Sequence, residues 1–184
     1  DAGIPQSLTS SAGEPVEMPP VATLTSIEPR FVAAIADAVD TTSTESTRFA
    51  LDCVRLRGSD GQMAASDGGQ AILETGFHFP WSDTVLVPAC DVCSCREFAA
   101  AEEVLIGRTD DWVTVQANAC TVHLKIEKER RYPDLDLQIP GEGAAVTKLA
   151  LADTDVDFLL DSAPKLPAAE ETNAPVTIEL NGVV

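Results

Sequence analysis

The order in which strands and helices are predicted along the chain constrains its fold more than any single motif does. A strand at 21–25 is followed by a helix that Glu28-Pro29 opens, and several strands come after it. The same order, a strand, a helix and then strands, returns between residues 84 and 128. A unit of this size cannot close a hydrophobic core alone, so similar units are expected to pack together. The sequence therefore predicts an α+β fold of pseudo-duplicated βαβββ units.

The bounds of these elements follow from hydrophobic spacing and from turn residues. Apolar side chains recur at helical spacing from Phe31 to Ala38 and predict a helix with one buried stripe. The Gly58-Ser59-Asp60-Gly61 cluster predicts a hairpin turn between two strands, the second of them at 62–66. The remaining predicted elements are strands at 71–79, 84–88, 112–117 and 121–128 and a helix at 94–105.

The chain is predicted to divide into three parts. Residues 1–20 are rich in Pro, Ser and Gly, which is typical of a linker or a disordered tail. Residues 21–140 hold the two complete repeats and form one domain. After Pro140, a strand at 147–152, a helix at 156–163 and a strand at 175–180 predict the first half of a second such domain, spanning 141–184. Half a domain leaves strand edges that need a partner, so the chain is expected to be a piece of a longer protein.

The charge balance of the chain is strongly acidic. It has 12 Lys and Arg against 30 Asp and Glu, giving a net charge of −18. Such a surface repels phosphate, so general nucleic-acid affinity is disfavoured unless basic residues collect on one face. The one basic cluster, from Lys125 to Arg131, is interrupted by Glu127 and Glu129, which is typical of a solvated strand. No apolar run or leader pattern predicts a membrane segment.

Residues that could carry catalysis or hold a metal are few. His78 and His123 stand on separate predicted strands, and no phosphate loop or nucleophile motif is present. Cys90-x-x-Cys93-x-Cys95 has zinc-like spacing, yet a structural zinc site takes four ligands and no fourth candidate stands at a standard spacing. The sequence therefore predicts a non-enzyme without a cofactor or metal, whose cysteines are free thiols.

A series of short motifs resembles one known family. Tyr132-Pro133-Asp134 followed by Ile139-Pro140 resembles the Tyr-Pro-Asp-Tyr and later Pro that end the second domain of bacterial DNA polymerase III beta subunits, the beta sliding clamps. Arg48 to Val54 is similar to the family's Arg-x-x-Leu-x-Gly-Val, and Met63 to Gly68 to its Val-Ala-Thr-Asp-Gly. Leu86-Val87-Pro88 resembles its Ile-Ile-Pro. In order and spacing these motifs cover residues 21–184, a divergent second domain plus the first half of a third.

The resemblance implies a fold, a function and partners. The fold would be a DNA-clamp-like domain with antiparallel sheets and two helices on one face. The function would be that of a cytoplasmic replication processivity factor, in which a ring or dimer of about six domains in total tethers polymerase to DNA by topology. Its partners would be DNA, held weakly, peptides of polymerase or clamp loader, and further copies of itself.

The resemblance also implies a groove for partner peptides, with departures from the family. The groove residues would be Leu51, Ser66, Gly68, Gly69, Gln70, Pro133, Leu137 and Gln138. Where the family's turn continues His-Arg-Leu, this chain has Gly69-Gln70-Ala71, and where the family has a basic residue after Tyr-Pro-Asp, it has Leu135-Asp136-Leu137-Gln138. A different peptide is therefore expected.

The helices that would face DNA carry few basic residues. Arg30 and Arg96 are the candidates, and each stands among acidic residues of its own helix. The alternative to a processivity factor is therefore a divergent clamp-fold module that binds peptides or assembles without encircling DNA.

Overall fold

The computed structural model describes residues 19–20, 22–44, 49–95, 98, 101–139 and 150–165. The chain divides into two compact units, Asp1–Asp136 and Leu137–Val184. The predicted domain bounds at 20 and 140 stay a prediction. Within the described part, no helix is long and apolar enough to cross a membrane.

The described elements of the first unit are mainly strands. In chain order they are β1 (Thr25–Ile27), α1 (Phe31–Asp40), β2 (Cys53–Arg57), β3 (Gln62–Ser66), β4 (Ala71–Glu74), β5 (Thr84–Pro88), a 3-10 turn at Asp91–Ser94, β6 (Val104–Arg108), β7 (Trp112–Ala117) and β8 (Cys120–Lys125). A further 3-10 turn at Leu135–Leu137 spans the division between the units.

The strands form two antiparallel four-stranded sheets, and each sheet takes its first strand from the other repeat. One sheet has the order β1-β6-β7-β8 and the other the order β5-β2-β3-β4. β1 of the first repeat pairs with β6 of the second, Thr25 lying opposite Ile106. β5 of the second repeat pairs with β2 of the first, Val54 lying opposite Val87. The exchange ties the two βαβββ repeats together and confirms the predicted α+β fold.

The core of the first unit lies against the inner faces of the sheets and α1. Alternation along β2 sends Val54 and Leu56 into this core, while Cys53 and Arg55 lie on the outer face. α1 buries Phe31 and Ile35 on its apolar stripe, as the helical spacing predicted. Burying each large apolar side chain of this kind contributes about 1.5–3 kcal/mol.

Several predicted bounds were wrong. The first strand is at Thr25–Ile27 instead of 21–25. The strand predicted at 71–79 ends at Glu74, because Phe77 leaves the sheet to pack edge-on against Phe31, with ring centroids 5.6 Å apart. The helix predicted at 94–105 runs too far, since Val104 and Leu105 belong to β6. Phe98 is helical, and residues 96–97 and 99–100 lie outside the described residues.

The described part of the second unit centres on one helix. α2 spans Asp153–Ser162, beginning three residues before the predicted helix at 156–163, and a 3-10 turn follows at Ala163–Lys165. Its first turn carries Asp153 and Asp155, which suit the positive end of the helix dipole. The strands predicted in this unit lie largely outside the described residues, and residues 150–152 of the first of them are not in a strand.

Candidate partner-binding surface

The turn between β3 and β4 is held by its own side chains. The Ser66 hydroxyl donates to the Gln70 carbonyl (2.7 Å) and accepts from the Gly68 amide (3.0 Å). The Asp67 carboxylate accepts from the amides of Gly69 and Gln70, both at 2.8 Å, and these two bonds hold the pKa of Asp67 below its ordinary value. These hydrogen bonds fix the conformation of the turn at the end of the sheet, and Gly68, Gly69 and Gln70 are exposed on it.

Leu51 lies against this turn. Gly68 has φ +95°, a conformation that glycine adopts without strain, and a Cβ built on it would be 3.7 Å from Leu51 Cδ1. Leu51 itself is half-buried. The structure thus brings together Leu51, Ser66 and Gly68.

Residues 126–136, the exit segment, reach the outer face of the β2–β3 sheet. The Glu127 amide donates to Leu86 O of β5 (2.9 Å), and Phe49 and Arg131 form a parallel bridge. Leu51 and Pro133 each stand two residues beyond that bridge on its two segments. Pro133 is half-buried, and the Phe49–Arg131 bridge brings its segment alongside the segment of Leu51.

Tyr132 anchors the exit segment to that face. Its ring packs against the small cluster of Ala50, Cys53 and Leu86, and its hydroxyl donates to Ala64 O of β3 (3.3 Å). Burial raises the pKa of Tyr132 to about 12. Tyr132, the first residue of the Tyr-Pro-Asp string, therefore anchors the exit segment beside the candidate surface.

Two arginines of β2, neither of them predicted from the sequence as a site residue, complete the arrangement. Arg55 is 6% exposed, and its guanidinium lies 5.6 Å from the centre of the Tyr132 ring and 3.5 Å from the Asp136 carboxylate. Arg57 is ion-paired with both Asp60 and Asp136. The sequence signal goes no further than spacing: residues two apart on a strand share a face, so Arg55 and Arg57 lie on the same side of β2.

We call Leu51, Ser66, Gly68, Gly69, Gln70 and Pro133 the partner surface. Leu137 and Gln138, the other two predicted groove residues, belong to the second unit, where Leu137 is 84% exposed. Their place in a groove stays a prediction.

The structure gives Arg30 a local set of partners. It stands at the N-terminus of α1, donates to Thr75 O (2.5 Å), pairs with Glu74 (3.3 Å) and lies over the Phe77 ring at 4.2 Å. Its side chain is still 48% exposed. Arg96 lies outside the described residues, so both remain predictions as DNA-facing groups.

The basic cluster near β8 is largely paired with acids. Lys128 pairs with Asp111 (2.5 Å), and Arg130 with both Asp52 (2.7 Å) and Glu127 (2.8 Å). These pairs agree with the solvated, alternating-charge interpretation of this strand end.

The two histidines and five cysteines all lie in the described part of the chain. His78 pairs with Glu28, while His123 shares a hydrogen bond with Thr114 on the neighbouring strand (2.9 Å). All five cysteines are free, and among the described residues no group of three or more His, Cys, Asp or Glu side chains could hold a metal ion.

Comparisons with known proteins give matches of structure. No protein-family model matches the chain, and no curated protein does. A DNA polymerase sliding clamp from Bacillus subtilis is 22% identical over 69% of this chain and 36% of its own, with a TM-score of 0.55. The DNA polymerase III subunit beta from Pseudomonas aeruginosa is 16% identical over 88% of this chain and 46% of its own (TM-score 0.59). A sliding clamp from the same organism bound to griselimycin is 18% identical over 68% of this chain and 36% of its own (TM-score 0.52).

These matches bear on the fold. The chain spans less than half the length of each clamp, and every identity is below 25%. Seven clamp structures that match the chain have TM-scores of 0.51–0.59. The chain has the fold of the DNA polymerase III beta subunits, the bacterial sliding clamps.

Proposed function

We propose that this chain is part of a sliding-clamp-like processivity factor, a ring component that tethers a polymerase to DNA in the cytoplasm. The observation that carries the proposal is the pair of βαβββ repeats with exchanged first strands, a fold shared with clamp structures over 65–88% of the chain. Holding by topology needs only weak contacts with DNA. A net charge of −18 is therefore compatible with it, whereas tight direct binding would be opposed by repulsion.

The test is retention of the full-length protein on DNA circles. A ring loaded on a nicked circle stays bound when salt is raised and leaves when the circle is cut, because only topology holds it. Linear DNA of the same sequence is the matched control. Absence of retention on the circle, in the presence of its loader, would contradict the processivity function.

We infer that the partner surface receives a peptide from a polymerase or a clamp loader. Its apolar part is formed by Leu51 and Pro133, and its polar part by the turn that Ser66 and Asp67 fix. Because Gly69 and Gln70 stand where the family resemblance implies His and Arg, the peptide would meet backbone and amide groups there instead of cations. Griselimycin, which is bound to the Pseudomonas aeruginosa clamp, is a probe for this surface. Leu51→Asp should weaken its binding, while Leu105→Asp, on the other sheet, should not.

A second candidate function is a clamp-fold module that binds peptides or assembles without encircling DNA. The specific observation that favours it is the exposed face of α1, on which Asp37 and Asp40 are exposed. Arg30, the N-cap residue of α1, is already engaged by Glu74 and Phe77. Griselimycin binding without retention on circles would support this second function.

A further inference from the structure

A ladder of alternating charges crosses from the β2–β3 hairpin to the exit segment. Asp60 accepts two hydrogen bonds from Arg57, at 2.9 Å and 2.7 Å. Arg57 also donates to one oxygen of Asp136, and the other oxygen of Asp136 lies 3.5 Å from Arg55. Arg55 in turn donates to the Gln62 side chain on β3. One carboxylate of the exit segment thus bridges two arginines of a core strand.

Arg55 depends on Asp136 more than Arg57 does, because Arg55 is the more buried of the two. Arg57 keeps Asp60 as a partner if Asp136 is removed. Arg55 is 6% exposed, and without Asp136 its partners in the described part of the chain are the Gln62 amide and the Tyr132 ring, while its buried Nε has no acceptor there. A buried cation that loses its counter-ion is strongly unfavourable. Arg55 therefore needs the exit segment in place.

The exit segment in turn carries part of the partner surface. Asp136 stands three residues after Pro133, and Tyr132 and the buried Leu135 fasten the same stretch by packing. Asp136 occupies the stretch in which the family resemblance implies a basic residue. A basic residue at this position would be repelled by the positive charges of Arg55 and Arg57. The carboxylate of Asp136 is attracted by them instead, so its charge is complementary to that of the two arginines.

We propose that Asp136 is a positioning residue of the partner surface, because its bridge to Arg55 and Arg57 holds the exit segment, which carries Pro133, on the sheet. The proposal rests on the proposed partner surface for its functional consequence. The bridge itself can be tested separately, by the order of the exit segment.

The first arm of the test is hydrogen exchange of the full chain. Asp136→Asn keeps the shape of the side chain and removes its charge, so the amides of 131–136 should exchange at least about tenfold faster, while those of β6 and β7 stay as in the wild type. Asp60→Asn is the matched control, since it removes the other partner of Arg57 and leaves the exit segment bridged. Adding Arg55→Leu to Asp136→Asn should speed the exchange of these amides little further, because the bridge is already absent. Wild-type exchange of 131–136 in Asp136→Asn would overturn the proposal.

The second arm is griselimycin affinity measured by isothermal titration calorimetry. Asp136→Asn should bind about tenfold more weakly and Asp60→Asn as the wild type does. Faster exchange with unchanged affinity would overturn the positioning role. Wild-type protein that does not bind griselimycin would contradict the partner surface with this probe, and exchange alone would then decide whether the bridge holds the segment.

Discussion

At the scale of single residues, burial decides which thiols and hydroxyls are chemically available. Cys53 and Cys93 are buried, whereas Cys90, Cys95 and Cys120 are half-buried. Burial raises the pKa of the Cys53 and Cys93 thiols to about 12, so both stay protonated at neutral pH. Cys93 lies in the 3-10 turn that follows β5 and packs into the hydrophobic core from there.

This difference predicts a labelling pattern. Iodoacetamide at about pH 8 should modify Cys90, Cys95 and Cys120 of the native protein, while Cys53 and Cys93 should react only after unfolding in urea. Peptide mass spectrometry of native and unfolded samples measures both sets. Labelling of Cys93 at the rate of Cys90 in the native protein would show that this thiol is not buried.

Tyr132 predicts a pH dependence that a matched variant isolates. Tyr132→Phe removes the bond to Ala64 O and should cost about 1 kcal/mol of unfolding free energy at pH 7. The pKa of Tyr132 is about 12 in the folded chain and about 10 in an unfolded one. The neutral form is thus favoured by folding, so this contribution is full below pH 10 and is lost as the pH rises toward 12.

Urea unfolding of the wild type and of Tyr132→Phe between pH 7 and 11.5 measures this effect. The wild type should lose up to about 2 kcal/mol more than the variant over that range. Parallel curves for the two proteins would mean that the hydroxyl ionises equally easily in both states.

Residue types showed part of the site in advance. Ser66 and Gly68 were predictable, because a hydroxyl and a glycine around Asp67 are the ordinary chemistry of a tight turn. The Arg55 bridge was not, because nothing local indicates that Asp136, 81 residues away, returns to the same face. Contacts of that range are set by topology.

At the scale of elements, hydrophobic periodicity predicts a strand correctly where apolar and polar side chains alternate. It predicts a helix wrongly where the apolar residues of a strand also fit helical spacing. β3 has the predicted bounds of 62–66, and the strand predicted before the Gly58–Gly61 turn is β2, which begins at Cys53. β6 was missed because Phe98, Ala101 and Leu105 also recur at helical spacing. Pairing decides in favour of a strand, because β7 pairs along the whole of Val104–Arg108 and β1 pairs with its first three residues on the other side.

In the β2–β3 hairpin, the free energy of unfolding should depend strongly on the last turn residue, Gly61. Gly61 has φ +64°, and a Cβ there would lie 2.0 Å from Phe77 O, part of the loop that packs on α1. Gly61→Ala should therefore cost at least about 2 kcal/mol of unfolding free energy, from backbone strain and displacement of that loop. Ser59→Ala in the same turn is the matched control and should change stability by less than about 0.5 kcal/mol. Urea denaturation compares the two, and similar stabilities would show that the loop yields freely.

At the scale of the whole molecule, two opposing features bear on assembly. A net charge of −18 repels other copies of the chain. The helix α2 of the second unit nevertheless carries exposed apolar side chains, with Phe158 68% and Leu160 69% exposed. Apolar surface of this kind on a helix is usually covered in a complete protein.

A ring makes a definite prediction about mass. The full-length protein should assemble so that its domains total about six, the closed symmetry that the clamp proposal requires. Because like charges oppose the association, the assembled fraction should rise when ionic strength increases from about 0.05 M to about 0.5 M, as screening shortens the range of repulsion. Light scattering coupled to gel filtration measures mass at both salt concentrations. A strictly monomeric full-length protein with fewer domains would exclude the ring and leave the peptide-binding module as the function of this fold.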